Sequence, residues 1–453
     1  MMKKAAYLTL GCRVNQYETQ AIREELERYG FSEGLFEEPC DLYLINTCAV
    51  TAESVRKDKK AIRRALRMRE DNPAAVVCVC GCFSQGEPFD ELLMQADVVA
   101  GNAGKSRLAS FLAEYCKIPV EERKRASLVE DVDKVHLYEP LSVCRSHNAR
   151  AFVKIQDGCN SFCSYCYVPL VRGRVRSRSV EDICQEVQTL ADASYREIVL
   201  TGIETGSFGE DRCEKNALPS LVERLSRISG IERIRFGSLK PILFDEEFCR
   251  ALSSFEKVMP HFHLSLQSGS SAVLKTMRRR YGREEALAAI ERIYRFFPDA
   301  GISADLICGF PGESEADFEE SVSLVKSAGL LHTHIFPFSP REGTKAFSLP
   351  DPICEEEKRR RCALLLEAAK TSSEAFHLKR VGKKYRVLCE RIQNGMAYGY
   401  TENFIYTQTP LEGKIDVGEI FPVILEKECS FRVETMTVSA KNVKEVDNFE
   451  KKL

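Results

Sequence analysis

No run of eighteen apolar residues occurs in the 453-residue chain, so no segment reads as a membrane-spanning helix. There is no surplus of charge either: 65 Lys and Arg stand against 67 Asp and Glu, a formal net charge of -2. That balance excludes a protein held on nucleic acid by bulk charge and leaves local basic patches as the electrostatic route to it. Tryptophan is absent, which says little. The apolar start from Ala5 to Leu10 ends at Gly11-Cys12-Arg13, too soon for a secretory leader, and the expectation is a cytoplasmic protein with no membrane partner. Cysteine is the residue that is not scarce. Nineteen of them, an odd number without an export signal, describe reduced thiols and candidate metal ligands, not a disulfide scaffold.

At 44% hydrophobic and 29% charged, the composition is core-forming, and the length fits two to four domains. Within an N-terminal domain of 1–140, residues 1–115 alternate short apolar runs (Ala5–Leu10, Leu42–Ile45, Ala74–Val79, Val98–Val99) with helical patterns at 16–29 and through Arg69, which predicts a parallel α/β layer. Residues 116–146 read as a surface linker or, equally, a pair of edge strands. A middle domain over 145–372 repeats the alternation six times, with strands expected at Phe152–Ile155, Glu197–Leu200, Ile231–Phe236, His263–Leu266, Ile302–Ile307 and His332–Phe336. Six strand–helix units predict a partial barrel whose ligands lie at the C-terminal strand ends. After a charged helix at about 353–378, short runs at Tyr385–Cys389, Met396–Tyr400, Phe404–Tyr406, Ile415–Val417 and Phe421–Leu425 predict a small all-β barrel over 376–440. The tail beyond about 438 is polar.

The strongest motif is Cys159-Asn160-Ser161-Phe162-Cys163-Ser164-Tyr165-Cys166, placed after the first strand of the middle domain. Three thiolates at spacings of four and three can converge on one metal centre, one ligand short of the usual four. Such a site leaves a coordination position for a small molecule; structural zinc is the alternative. With its aromatic before the last cysteine, the motif resembles the signature of radical S-adenosylmethionine (SAM) enzymes. The resemblance implies that Cys159, Cys163 and Cys166 hold a [4Fe–4S] cluster, that SAM binds its unique iron, and that Tyr165 covers the cofactor. It also makes the strand-end residues Gly202, Glu204, Ser265, Gln267 and Gly309, with Arg278, candidates for SAM contacts. No catalytic acid or base is assigned.

Cys12, Cys48 and Cys82 are 36 and 34 residues apart, too far for a local metal motif. Each nevertheless closes an expected strand, and parallel neighbours would bring those ends together; buried core cysteines are the plainer reading. The surrounding runs, Gly11-Cys12-Arg13-Val14-Asn15-Gln16-Tyr17-Glu18, Asn46-Thr47-Cys48 and Gly81-Cys82-Phe83-Ser84-Gln85, closely resemble the N-terminal domain of the methylthiotransferases. That family implies a second [4Fe–4S] cluster on these three residues, tied to sulfur insertion, and a C-terminal TRAM-type barrel around Gly399–Asn403. Cys78 and Cys80 match no ligand position. The segments Thr9–Glu18, Ser265–Gly269, Met277–Tyr281 and His334–Thr344 are most similar to the MtaB-type subgroup, which modifies N6-threonylcarbamoyladenosine beside the tRNA anticodon. The resemblance therefore implies a methylthio group added to C2 of that base at tRNA position 37. It implies the tRNA anticodon loop as partner, an electron donor such as flavodoxin or ferredoxin, and a sulfur source the sequence does not identify. The alternatives are the same chemistry on N6-isopentenyladenosine or on a ribosomal protein, and a non-catalytic iron–sulfur RNA-binding protein.

For RNA contact the sequence offers a basic helix, Arg56 to Arg69, with eight basic groups and one acid. It also offers the alternating Arg172, Arg174, Arg176 and Arg178, which would share one face if extended, and the run Arg278-Arg279-Arg280. Tyr398, Tyr400, Phe404 and Tyr406 are candidate base-stacking surfaces, at least two of them expected in strand packing. Gly104-Lys105-Ser106 mimics the end of a phosphate loop, but Val99 stands where such a loop needs glycine, so ATP hydrolysis is not expected.

Overall fold

The computed structural model describes residues 2–350, 352–411, 413–432 and 435–442, with side chains up to residue 426. The polar tail lies, from 443 on, outside the described residues.

The N-terminal sheet contains β1 (Lys3–Thr9), β2 (Phe31–Glu33), β3 (Leu42–Thr47), β4 (Val76–Gly81), β5 (Val98–Ala100) and β6 (Ala126–Leu128). They lie in the order β2-β1-β3-β4-β5-β6, all parallel. Every residue of β3 and β4 is buried, as a parallel sheet with both faces covered requires. Helices α1 (Arg13–Arg28) and α4 (Leu108–Tyr115) cover one face through Ile22, Leu26, Leu108 and Leu112. The 20-residue α2 (Ala52–Asp71) covers the other through Ala61, Ile62 and Ala65, its N-terminus capped by the Thr51 hydroxyl accepting from Ser54 N–H. The short α3 (Cys82–Gly86) follows β4. Cys78 and Cys80 are fully buried strand residues on the α1/α4 face. The segment 116–146 contributes one edge strand, β6; most of the rest is irregular, pinned where Tyr17 donates its hydroxyl to Leu141 O at 2.8 Å.

The middle domain runs β7 (Ala151–Lys154), the short pair β8 (Gln156–Asp157) and β9 (Arg176–Ser177), β10 (Glu197–Thr201), β11 (Arg233–Phe236), β12 (Ser238–Leu239), β13 (His261–Gln267), β14 (Gly301–Cys308) and β15 (His332–Pro337). The parallel strands form two stretches, β7-β10-β11 and β12-β13-β14-β15, broken at Gly237. Between them run α5 (Val168–Arg172), α6 (Val180–Asp192), α7 (Ala217–Ser226), α8 (Glu246–Ser253), α9 (Ser271–Thr276), α10 (Arg283–Phe296) and α11 (Glu315–Ser327). Among the described residues no pairing joins β15 back to β7, so the barrel is partial, as expected from six units.

Helix α12 (Glu355–Leu378) leads to a closed five-stranded barrel, β16 (Lys384–Gln393), β17 (Met396–Tyr400), β18 (Tyr406–Pro410), β19 (Ile420–Arg432) and β20 (Thr435–Asn442). Two expected strands differ. Ile415–Val417 is irregular, held between Gly413 and Gly418, both at positive φ. Phe404 sits in the turn before β18 with φ +70°, its ring between Tyr400 and His261. That turn docks on the floor of the middle domain. Arg235 donates to Thr401 O at 2.7 Å and Glu402 O at 2.8 Å, and Arg233 donates to Arg386 O at 2.8 Å.

Candidate active site

Strands β1, β3 and β4 are adjacent, and Cys12, Cys48 and Cys82 follow their C-terminal ends. Gly11, at φ +96°, leaves no room for a side chain: a Cβ would stand 2.7 Å from the Cβ of Cys48. Gly81, at φ +108°, would place one 2.5 Å from Thr47 O. These two glycines let the strand ends close on one another. The Asn15 amide clamps the same turn, donating to Leu10 O at 2.8 Å and Thr47 O at 2.9 Å, while Asn102 donates to the Cys82 sulfur at 3.5 Å. Burial, then the neighbouring Cys82 and Cys12, pushes the Cys48 thiol up to about 12. Burial raises Cys12 as well, against the Arg172 guanidinium. Three free thiols brought together at adjacent strand ends are a donor set that a central metal cation satisfies.

The second set sits on a loop held by backbone. Cys159 N–H donates to Gly173 O at 3.1 Å, Cys166 N–H to Cys163 O at 3.0 Å, and Ser164 N–H to Met277 O at 3.1 Å. Gly158, at φ +72°, lies so near the Arg174 carbonyl that a Cβ would be 1.9 Å from it. Burial, then Cys163, pushes Cys166 up to about 12.

Cys12 of the first set and Cys159, Cys163 and Cys166 of the second line one cavity of about 440 Å³. Of the sequence candidates, Tyr165, Glu204, Ser265 and Gln267 also line it. Gly202 instead packs against Gln156, Gly309 (φ +71°) lies against Lys358, and Arg278 lines a neighbouring surface cavity with Lys240 and Arg280. Arg279, offered by the sequence in an RNA-facing run, lines the shared cavity, as does Asp305, which is not a sequence candidate. Arg279 donates to Ser265 O at 3.3 Å. Glu204 is buried, its carboxyl raised by burial against Lys240 and Arg279, and its Oε1 has no hydrogen-bond partner.

A buried ion network joins the two sets. Glu18 Oε1 accepts from Lys154 at 2.8 Å and Arg172 at 2.7 Å, and Oε2 accepts from Lys105 and Arg172. Asp157 accepts from Lys154 at 2.6 Å and from Arg172 at 3.2 Å. Burial opposes the Glu18 charge, yet Arg172, Lys105 and Lys154 outweigh it and hold the carboxyl well below its usual range. Arg172 also donates to Asn15 Oδ1 at 2.6 Å. The phosphate-loop mimic is thus a structural ion pair: Lys105 is buried against Glu18 and Asn102.

The alternating arginines do not share an RNA-facing surface. Arg172 ends α5, and Arg172, Arg176 and Arg178 are buried, Arg178 on Glu186 at 2.9 Å; Arg174 is exposed, over the Phe162 ring at 4.3 Å. On α2, Lys60, Arg63 and Arg67 are exposed with no ion pair among the described residues, whereas Arg56, Lys59, Arg64 and Arg69 are paired. The C-terminal aromatics mostly pack on one another: Phe404 stacks on Tyr400 at 4.2 Å and on His261 at 4.1 Å, and Tyr398 stacks on Tyr406 at 6.3 Å.

Residues 153–325 match the model of the radical SAM superfamily, and residues 4–104 match that of the uncharacterized protein family UPF0004. The chain is 35% identical to the threonylcarbamoyladenosine tRNA methylthiotransferase MtaB of Bacillus subtilis (strain 168) over 434 residues, 94% of each chain. It is 34% identical to a tRNA-2-methylthio-N(6)-dimethylallyladenosine synthase of Pelotomaculum thermopropionicum, over 93% of this chain and 95% of that one. Among solved structures it is similar to the radical SAM methyltransferase TsrM of Kitasatospora setae, with a TM-score of 0.55, 16% identity and 77% of each chain covered, a likeness of fold.

Proposed function

Since the chain belongs to the MtaB-type tRNA methylthiotransferases of the radical SAM superfamily, we propose that it adds a methylthio group to C2 of N6-threonylcarbamoyladenosine at position 37 of tRNA. The observation that carries this reading is the single cavity bordered by Cys12 on one side and by Cys159, Cys163 and Cys166 on the other. A base held there faces both thiol sets.

The enzyme uses SAM and iron–sulfur chemistry, which when bound supplies a carbon radical able to take hydrogen from an aromatic C–H, beyond the reach of a side-chain base. Each thiol trio, with no fourth ligand beside it among the described residues, fits a cube with one open iron. The protein's part is binding and exclusion. We assign Cys159, Cys163 and Cys166 to one cluster and Cys12, Cys48 and Cys82 to the other. Glu204, with its unpartnered oxygen, accepts from the ammonium of SAM. The Arg279 guanidinium takes its carboxylate, and Tyr165 covers it, held edge-on to Phe310 at 6.4 Å. The glycine turns at Gly202 and Gly309 and the strand ends at Ser265 and Gln267 shape the wall; Arg278, at the outer cavity, is placed for RNA phosphate. Domains of 1–140, 145–372 and 376–440 divide this work into sulfur handling, radical formation and RNA contact. The adenine leaves the loop stack to enter. A flavodoxin or ferredoxin supplies electrons, and the sulfur comes from a donor outside the chain.

The test is anaerobic turnover of reconstituted protein on anticodon stem-loop RNA carrying threonylcarbamoyladenosine or isopentenyladenosine, read by nucleoside mass spectrometry. The 2-methylthio product on the first RNA is expected. Product on the second alone would move the substrate, and SAM cleavage without either would end the assignment.

A further inference from the structure

Below the shared cavity lies a second, of about 220 Å³, that the chemistry described so far does not use. Five of the chain's seven histidines line it: His261 and His263 from β13, His332 and His334 from β15, and His377 from α12. Tyr400, Phe404 and Tyr406 of the small barrel close its bottom, and Arg13 faces it from the start of α1. The volume is below that of pockets for whole drug-sized ligands and suits a side group of a larger molecule.

The two cavities share a wall. Arg13 follows Cys12, which lines the upper cavity. Asp305 lines the upper cavity and stands 3.0 Å from His263 Nε2 in the lower. Along β15, Phe336 borders the upper cavity and His334 the lower, one same-face step of about 6.7 Å.

Charge decides what the lower cavity accepts. Arg13 lies 5.7 Å from the Phe152 ring centroid and, among the described residues, has no carboxylate within ion-pair distance. The nearby Arg150 pairs with Glu197 and Glu390, and Arg235 pairs with Glu197. The carboxylate of the shared wall, Asp305, pairs with His263 Nε2 and lies outside ion-pair distance of Arg13. Burial, then His334, brings His332 down to about 4, and burial lowers His261 further, so both are neutral hydrogen-bonding groups near pH 7.

We propose that this lower cavity receives the anionic side group on N6 of the substrate adenine, with the Arg13 guanidinium binding its carboxylate. The inference rests on the functional reading above and adds the specificity determinant. In N6-threonylcarbamoyladenosine the carboxylate carbon lies four bonds beyond N6, a reach of about 5 Å, comparable to the step between the cavities. The base edge bearing C2 stays above, beside the thiols, while its tail points down. An isopentenyl tail in the same place would leave Arg13 buried by substrate and unpaired, which rejects it.

The experiment measures affinity of the reconstituted protein for two stem-loop RNAs, one carrying threonylcarbamoyladenosine and one in which the threonyl carboxylate is a carboxamide. Wild type should prefer the carboxylate by about 10- to 100-fold, the worth of a charge-assisted pair. Arg13→Gln, checked for wild-type iron content, should bind both RNAs alike, and Arg13→Lys should regain part of the preference. A preference that survives in Arg13→Gln, or none in wild type, overturns the proposal. So does a preference that wild type loses on treatment with a divalent-ion chelator while Arg13→Gln keeps it. That result would assign recognition to a metal on His263, Asp305 and His334, whose ligand atoms lie within 4.8 Å of one another. A carboxylate preference abolished by Arg13→Gln, with no methylthiolated product from wild type, would uphold this pocket and overturn the reaction assigned above it.

Discussion

The two thiol sets reach the same cavity by opposite routes. Cys159, Cys163 and Cys166 occupy one loop of eight residues, arranged by local backbone bonds. Cys12, Cys48 and Cys82 span seventy-one residues of sequence and become neighbours only because three parallel strands lie side by side. A locally built site depends on its own turn; a site built by topology depends on the whole sheet and on whatever holds that sheet in place.

The largest test removes each set in turn. Replacing Cys159, Cys163 and Cys166 with Ala should abolish both 5′-deoxyadenosine formation and methylthiolation, measured on the same anaerobic samples. Replacing Cys12, Cys48 and Cys82 should abolish methylthiolation and spare SAM cleavage. Normal product from the second variant would return those residues to the core.

Next in size is the ion network. Glu18→Gln leaves Lys105, Lys154 and Arg172 buried with Asp157 as the remaining carboxylate of the network, and should cost about 3–5 kcal/mol of stability. Because Arg172 also holds Asn15, beside Cys12, the N-terminal set should lose its iron before the loop set does. Equal loss, followed by absorbance and iron analysis during denaturation, would erase the distinction drawn here.

A milder effect is expected on RNA affinity. Charge reversal of Lys60, Arg63 and Arg67, one exposed face of α2, should weaken stem-loop binding and make the dependence of log affinity on log salt shallower by about 2 to 3. An unchanged slope would make this face ordinary solvated surface.

The smallest effect separates the two regions by pH in cluster-free protein. Burial, against the Cys48 N–H, raises Asp58 beneath the N-terminal site to about 7. Between the unfolded value near 4 and 7 the folded state holds this proton and the unfolded state does not, so acidification from pH 7 stabilises α2. His332 and His377 have values lowered to about 4, chiefly by burial. Below 6.5 the unfolded chain takes up protons that the fold refuses, so the same acidification destabilises α12 and the barrel floor. Hydrogen-exchange protection, taken relative to the intrinsic rate at each pH, should rise in α2 and fall in α12 between pH 7 and 5; parallel changes would contradict the opposed signs.

Much of this architecture can be read along the chain. The strand–helix alternation has a long period and strong apolar runs, so β3, β4, β10, β13 and β14 announce themselves. The loop motif is legible because its ligands are close in sequence. The N-terminal trio is not a motif in spacing; topology makes it plausible, and family resemblance makes it specific. The ion network escapes altogether. Glu18, Lys105, Lys154 and Arg172 come from four elements, and nothing local distinguishes a charge destined for burial from one facing water. The same blindness made Arg172, Arg176 and Arg178 look like an RNA surface. Phe404 was misjudged for a different reason, a positive φ that turns it away from the strand pattern its neighbours suggest.

The docking of the last domain has a consequence for how the protein is made. Arg233 and Arg235 find their backbone acceptors in Arg386, Thr401 and Glu402, and Gly301, at the start of β14, lies so close to Asn403 that a Cβ would be 2.1 Å from its carbonyl oxygen. The catalytic barrel therefore acquires its floor only after residue 403 has left the ribosome. A chain terminated before that point has both thiol sets but lacks the contacts that Arg233 and Arg235 make beneath the barrel. The contacts beneath the barrel therefore form only once residues 386–403 have emerged and docked.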